Sequence, residues 1–279
     1  MRDWVKHRHY GWVIAIAMLL VQTVSSGLGF YNMSVYMSFF AGELDASLDA
    51  ISLSVSLFFI SGGVAGLFVA RLLERWDIRM IMVIGASVSG VALLLIGRAS
   101  NLYELYALFT LFGIGNTGVS IVVATSLITQ WFPDERRSVA LSISSTGLSL
   151  GGVLITPYTA YLFDKSGIFE AMPLLGVIFV VGIVPIVILF IRPPVTLQAV
   201  KETKRNFEME YLLARKSRFF VCVTAAYVLI MAAQVGGIAH LYNRVDALGG
   251  LGVAAGSIQA LTLASISGRL LGGWLLTRI

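Results

Sequence analysis

Charged residues are scarce in this chain of 279 residues: they make up 13% of it, about half the share found in a globular domain. Eight stretches of 18 to 34 residues contain no Asp, Glu, Lys or Arg. This scarcity excludes a soluble enzyme, a nucleic-acid-binding protein and a secreted disulfide scaffold. The single cysteine, Cys222, excludes an internal disulfide.

Hydrophobic residues are abundant instead, at 57% of the chain, and the mean hydropathy is +0.86. A helix needs roughly 20 apolar residues to cross a bilayer, whereas strands of a membrane barrel are about half as long. The charge-free stretches therefore predict an all-α polytopic membrane protein. We expect helices at about 12–40, 50–73, 80–98, 104–131, 138–162, 172–191, 219–241 and 252–276.

The basic residues are distributed unevenly between the two sets of connections that eight crossings create. Sixteen of the 20 fall on one side, three (Arg98, Lys165 and Arg244) fall on the other, and Arg269 lies within a helix. Positive loops stay cytoplasmic, so we expect both ends inside a plasma (inner) membrane, with the lipid bilayer as a partner. The net charge of +5 then reflects topology, and no nucleic-acid partner is expected.

A polar connection separates the first six predicted helices from the last two. Ten of the 27 residues in 192–218 are charged, and Pro193-Pro194 ends the sixth helix. We expect a six-helix bundle at 1–191, a cytoplasmic linker at 192–218 and two helices of a second bundle at 219–279. A short repeat supports this division, because 70–76 (ARLLERW) and 273–279 (GWLLTRI) end the second and eighth helices at an offset of 203 residues.

The loop after the second helix resembles the motif of the major facilitator superfamily, Gly-x-x-x-Gly-x-x-x-Asp-Arg-x-Gly-Arg-Arg. Here it has Gly66, Ala70, Glu74, Arg75 and Arg79, with departures at positions 70, 74, 77 and 78. A narrower resemblance is to the monocarboxylate transporter and oxalate/formate antiporter branch. It is carried by Tyr10-Gly11-Trp12 and by the stretch 131–151, with Trp131-Phe132, Arg136-Arg137, Ala140, Thr146-Gly147 and Gly151.

The resemblance implies a fold of twelve helices in two halves that rock around a central site. This chain ends after the eighth predicted helix, so we expect either a fragment or a shortened product that needs a partner. The implied function is secondary active transport of a small organic anion, a monocarboxylate or dicarboxylate, by alternating access. A coupling ion or counter-anion is a further partner that the sequence leaves open.

Arg269 is the strongest candidate for substrate binding. Gln259, Thr262, Ser265 and Arg269 recur at steps of 3, 3 and 4 and so share one face of the eighth helix. A charge within the bilayer is costly and marks a functional candidate, and a guanidinium suits a carboxylate bidentately. In the resembled branch an arginine at this position binds the substrate carboxylate. The alternative is an arginine that snorkels or makes a gating contact.

Further polar residues within the predicted helices are candidates for contact with the substrate: Asn32, Asn116, Gln234, Gln259 and His240. Asn32 either lines the cavity or bonds between helices, and it stands where the resembled branch often has a lysine. Asn116 follows a glycine pair whose spacing is typical of helix packing. His240 either relays protons or binds an anion, or lies at the outer interface.

The basic loops are a second candidate feature. Glu74, Arg75 and Arg79 are expected to form a cytoplasmic gate with Gly66 and with Arg136 and Arg137, or else they only set the orientation. No catalytic residue, cofactor or metal site is expected, since His7-x-His9 is isolated in a basic tail. Two alternatives stay open: transport of another solute, such as a sugar acid or a neutral compound, and a truncated membrane protein that does not transport.

Overall fold

The computed structural model describes residues 2–73, 75–132, 134–192 and 216–275, and these ranges contain helices but no strand. The predicted all-α fold is therefore confirmed. In chain order the elements are α1 (Arg2–Ser26), a π-helical turn (Gly27–Tyr31), α2 (Met33–Glu43), α3 (Leu48–Leu72), α4 (Ile78–Ile96), α5 (Leu102–Thr117), α6 (Ile121–Trp131), α7 (Asp134–Ser166), α8 (Ile168–Phe190), α9 (Arg218–Gly249) and α10 (Leu251–Leu275).

Seven segments within the described residues are long and apolar enough to cross a membrane, and they match the first seven predicted spans. They are Tyr10–Tyr31, Leu48–Leu72, Ile78–Ile96, Leu102–Trp131, Arg136–Ser166, Ile168–Phe190 and Arg218–Ile238. Helix α10 forms where the eighth span is predicted. It is not among the seven, so its crossing stays a prediction.

The fourth predicted helix is interrupted, which the sequence did not predict. Gly118, Val119 and Ser120 donate their backbone N–H groups to carbonyls three residues earlier, at 3.0 to 3.2 Å. Bonds of this type tighten the chain into a 3₁₀-like turn. Helices α5 and α6 are therefore separate elements within one membrane-spanning segment.

Side-chain caps define where three of the helices begin. Ser47 accepts from the backbone of Ala50 ahead of α3, and Asn101 accepts from Glu104 ahead of α5. Asp77 accepts from the backbone N–H of Arg79 at 2.8 Å ahead of α4. Such caps satisfy N–H groups that the first turn of a helix leaves without a partner.

The chain divides into two compact units, one formed by 1–193 with 241–279 and the other by 194–240. In the first unit α7 packs against α1 on one side and against α10 on another, and α4 packs against α5 and α8. Glycines permit the closest contact, since a Cβ at Gly147 would overlap the carbonyl of Leu19. The predicted domain division at 1–191, 192–218 and 219–279 stays a prediction.

Candidate functional site

The polar face predicted for the eighth helix lies against α7. Gln259 Nε2 donates to the carbonyl of Val153 at 3.2 Å, and Ser149 Oγ donates to Ser265 Oγ at 3.0 Å. Thr262 is fully buried, and its methyl group lies next to Gly152. The small residues of α7 let α10 approach closely, so this face is a polar interface between two helices.

Arg269 lies at one end of this interface and is half-buried. Its Nη1 donates to the carbonyl of Ser145 at 2.9 Å, and its Nε donates to Ser265 Oγ at 3.3 Å. Ser142 Oγ in turn donates to the carbonyl of Arg269. A guanidinium carries five N–H donors, so three have no acceptor among the residues that the structure describes.

Within the described ranges, Arg269 forms no salt bridge with a carboxylate. One salt bridge occurs there, and it joins Arg79 to Asp77. The partners of Arg269 are a carbonyl and a hydroxyl, which carry no charge. Such partners compensate only part of the cost of moving a charge out of water.

Tyr31 lies beside this interface, which the sequence did not indicate. It ends the π-helical turn and is only 2% exposed. Its ring lies about 3.0 Å from where a Cβ at Gly152 would stand. A π-helical turn is rare and is frequently found at functional sites, but no sequence pattern used here would have predicted one.

Asn32 directly follows the π-helical turn and is fully buried. Its Nδ2 donates to Thr159 Oγ1 on α7 at 2.7 Å and lies 3.5 Å from the hydroxyl of Tyr36. The Tyr36 hydroxyl donates to the carbonyl of Leu28 within the turn at 3.0 Å. The Asn32 Oδ1 has no hydrogen-bond partner within the described part of the chain, so it is a buried acceptor whose bonding capacity is unused there.

Asn116 lies in the last turn of α5 and faces α1. Its Oδ1 accepts from Ser25 Oγ at 2.8 Å, and its amide group packs against Gly29. Its oxygen therefore serves an interhelical hydrogen bond, as the Nδ2 of Asn32 does with Thr159. Asn32 directly follows the first membrane-spanning segment, and Asn116 contacts that segment through Ser25.

Gln234 and His240 belong to the second unit, on α9. Both side chains are exposed. Arg269 belongs to the other unit. Their role in substrate contact stays a prediction.

The loop before α4 contains an ion pair that differs from the predicted gate cluster. Arg79 Nη2 lies 2.8 Å from Asp77 Oδ2, and its Nε donates to the same carboxylate. These hydrogen bonds hold the pKa of Asp77 below its ordinary value. Arg75 is exposed, and Glu74 lies outside the described residues. A Cβ at Gly66 would make only an ordinary contact of 3.7 Å with Thr117.

The second predicted basic pair begins α7. Arg136 is exposed, and Arg137 is half-buried with its Nε 3.5 Å from the carbonyl of Phe132. Close by in sequence, Trp131 Nε1 donates to the carbonyl of Arg192 at 3.0 Å, and the Arg192 guanidinium lies over the ring of Tyr10. The motif residues at the starts of the first and fifth predicted helices thus belong to one packed region.

The model of the Major Facilitator Superfamily matches residues 19–279. The match covers most of the chain, and the all-helical architecture of the described residues agrees with it. The chain therefore belongs to the Major Facilitator Superfamily, as the motif resemblance indicated.

Three curated relatives illustrate the narrower resemblance. The oxalate:formate antiporter of Oxalobacter formigenes is 28% identical over 255 residues, which cover 88% of this chain and 57% of that protein. The uncharacterized MFS-type transporter YcxA of Bacillus subtilis is 27% identical over 60% of this chain and 41% of its own length. Human monocarboxylate transporter 14 is 23% identical over 61% and 33%. The chain thus spans about half, or less, of the length of these relatives.

Proposed function

We propose that this chain forms part of a secondary active transporter that carries a small organic anion across the bilayer by alternating access. The observation that carries the proposal is Arg269. It places a guanidinium within a predicted membrane span, with neutral hydrogen-bond partners and three N–H donors that bind no acceptor among the described residues. An arginine in this setting is a functional candidate because buried charge is costly.

The chemistry of Arg269 fits a carboxylate. A planar guanidinium binds the two oxygens of a carboxylate through parallel N–H bonds, and it stays charged at every physiological pH. The names of several relatives support this class of substrate, among them the oxalate:formate antiporter and a probable sulfoacetate transporter. The substrate we propose is a monocarboxylate or dicarboxylate.

The other candidate residues would bind the neutral edges of the substrate. Asn32 Oδ1 is a buried acceptor, which suits a hydroxyl, a water or a protonated acid. Asn116 has amide donors on Nδ2, since its bond with Ser25 uses the oxygen. Gln259 contributes its Oε1, because Nε2 binds Val153. Gln234 and His240 complete the proposed set.

The basic loops would form the gate on the cytoplasmic side. In this proposal the charges of Glu74, Arg75 and Arg79, together with Arg136 and Arg137, form salt bridges that break when the site opens inward. The Asp77–Arg79 pair adds a carboxylate that competes for Arg79. When the site opens, Arg79 therefore exchanges its partners in the gate for Asp77 and stays paired.

One observation favours transport of another solute by the same fold. Arg269 and Gln259 each bind a main-chain carbonyl of α7, so both contribute to the interface between α7 and α10. If that is their whole role, the substrate is a sugar acid or a neutral compound. Uptake measurements separate these two functions.

The proposal is tested by uptake into proteoliposomes that contain the protein expressed from its native reading frame. We expect uptake of labelled oxalate, formate or lactate, little uptake of a neutral sugar, and loss of anion uptake in Arg269→Gln. Arg98→Gln, an exposed basic residue outside the interface, is the matched control and should transport like the wild type. Sugar uptake that survives Arg269→Gln would instead support the neutral solute.

We also propose that both ends and the 192–218 linker lie in the cytoplasm, on the basis of the distribution of basic residues. In a Cys222→Ser background, a single cysteine at Ser166 should react with an impermeant thiol reagent on intact cells. A cysteine at Thr203 should react only after permeabilisation. The reverse pattern would overturn this orientation.

A further inference from the structure

A cavity of about 320 Å³ lies between α4 and α8, at the end of α4 next to the Asp77–Arg79 ion pair. Apolar side chains line most of it: Met80, Val83 and Ile84 from α4 and Ile188 from α8, with Arg79 at its edge. Met80 is 54% exposed and Ile188 is 60% exposed. Both helices are membrane-spanning segments, so this exposed apolar surface faces hydrocarbon rather than water.

The packing of the two helices accounts for the cavity. Towards the other end of α4, a Cβ at Gly90 would lie 3.0 Å from the carbonyl of Gly176, and one at Gly97 would lie 2.8 Å from Pro173. The helices approach closely there because small residues permit it. Near Arg79 the side chains are larger, and they leave the cavity as a groove between the two helices. It has room for about ten groups the size of a water molecule, at roughly 30 Å³ each.

Arg79 retains hydrogen-bonding capacity at the edge of this groove. Its Nε and Nη2 bind Asp77, whereas no acceptor within the described ranges binds its Nη1. Its side chain is 42% exposed. Trp76, three residues earlier, is 49% exposed, and tryptophan is enriched at the level of lipid headgroups. A guanidinium at that depth suits a phosphate.

We propose that the groove binds one membrane phospholipid, with its phosphate on Arg79 and an acyl chain along Met80, Val83, Ile84 and Ile188. The apolar lining fits a hydrocarbon chain, and the free donors of Arg79 complement a phosphodiester. A soluble anion would leave the apolar part of the groove unoccupied. This inference does not depend on the transported substrate, since the groove lies on α4 and α8 rather than on the α7–α10 interface.

Native mass spectrometry of the purified chain in detergent, titrated with dioleoylphosphatidylglycerol, tests the site. We expect one lipid to bind to the wild type at least about tenfold more tightly than to Arg79→Gln, because a charge-assisted hydrogen bond to phosphate is lost. Val83→Phe fills the groove and should weaken binding similarly. Arg71→Gln removes an exposed arginine that does not line the groove, so it should bind like the wild type.

Diolein, which has the same acyl chains without the phosphate, separates the two parts of the site. It should bind the wild type more weakly than the phospholipid, and Arg79→Gln should not change its binding. Equal binding of diolein and phospholipid to the wild type would overturn the phosphate contact, and unchanged binding to Val83→Phe would overturn the groove. Both outcomes are measured on the wild type and on Val83→Phe, so they do not depend on whether Arg79→Gln folds.

Discussion

Gly152→Ala perturbs the interface on which the candidate site is built. Gly152 lies on α7 where Thr262 of α10 and Tyr31 of the π-helical turn meet. An added Cβ would overlap Thr262 Cγ2 and lie 3.0 Å from Cγ of the Tyr31 ring. Thr262 is fully buried and Tyr31 nearly so, so neither side chain can move into open space.

The expected cost follows from two opposing effects. Overpacking a well-packed region costs about 1–3 kcal/mol of unfolding free energy. Replacing glycine by alanine within a helix returns up to about 1 kcal/mol. Gly268→Ala on α10 is the matched control, because an added Cβ there meets nothing within 4 Å. Gly152→Ala should therefore be less stable than Gly268→Ala by about 1–3 kcal/mol.

Reversible unfolding in mixed micelles of dodecyl sulfate and a mild detergent, followed by circular dichroism, measures this difference. The midpoint should fall for Gly152→Ala and stay or rise for Gly268→Ala, with the same helix content in both folded proteins. If Gly152→Ala is as stable as Gly268→Ala, the close contact between α7, α10 and Tyr31 is wrong, and the site geometry derived from it fails.

Two smaller effects should accompany it. The Asp77–Arg79 pair should stabilise the protein at neutral pH by less than about 1 kcal/mol, because both side chains are partly exposed. Since the pKa of Asp77 is lowered in the folded state, this contribution is present above about pH 4. It is lost as the pH falls further, through the lowered pKa. Asp77→Asn should therefore differ from the wild type at pH 7 and low salt but not in strong acid, as thermal unfolding would show. Tyr10→Phe removes the bond from the Tyr10 hydroxyl to the carbonyl of Phe190 and should cost about 0.5–1.5 kcal/mol, whereas Tyr103→Phe, which is 84% exposed, should cost nothing measurable in the same assay.

The helices were predictable because the absence of charge is a strong signal in a membrane protein. The shared face of Gln259, Thr262, Ser265 and Arg269 was also predictable, since helical periodicity alone assigns it. Its partner was not, because a contact between α7 and α10 depends on tertiary packing. The small residues of α7 indicated close packing without indicating which helix packs there.

The position of Tyr31 shows where periodicity stops being informative. A π-helical turn accommodates one more residue than an α-helical turn, which rotates the residues after it relative to those before. Extending a constant 3.6-residue repeat through Gly27–Tyr31 therefore misassigns the helix face of the residues at its end, such as Tyr31. The structure instead places its ring beside Gly152, where α7 meets Thr262 of α10.

The gate shows a different limit. The motif resemblance directed attention to Glu74 and Arg75, and Asp77 was noted only as a departure. In the structure Asp77 both caps α4 and pairs with Arg79. Asp is among the residues preferred at the N-cap, directly before the first helical residue. The sequence therefore contained this signal, but the motif comparison gave it no role.

Equilibrium binding of labelled oxalate to the protein expressed from its native reading frame tests the central claim most directly. Arg269→Lys keeps the charge but loses the planar fork and should weaken binding by about 1.5–3 kcal/mol, roughly 10- to 150-fold. Arg269→Gln should weaken it further, while the Arg98→Gln control should bind like the wild type. Oxalate binding that is unchanged in Arg269→Gln would contradict the account, because Arg269 would then serve only the interface between α7 and α10.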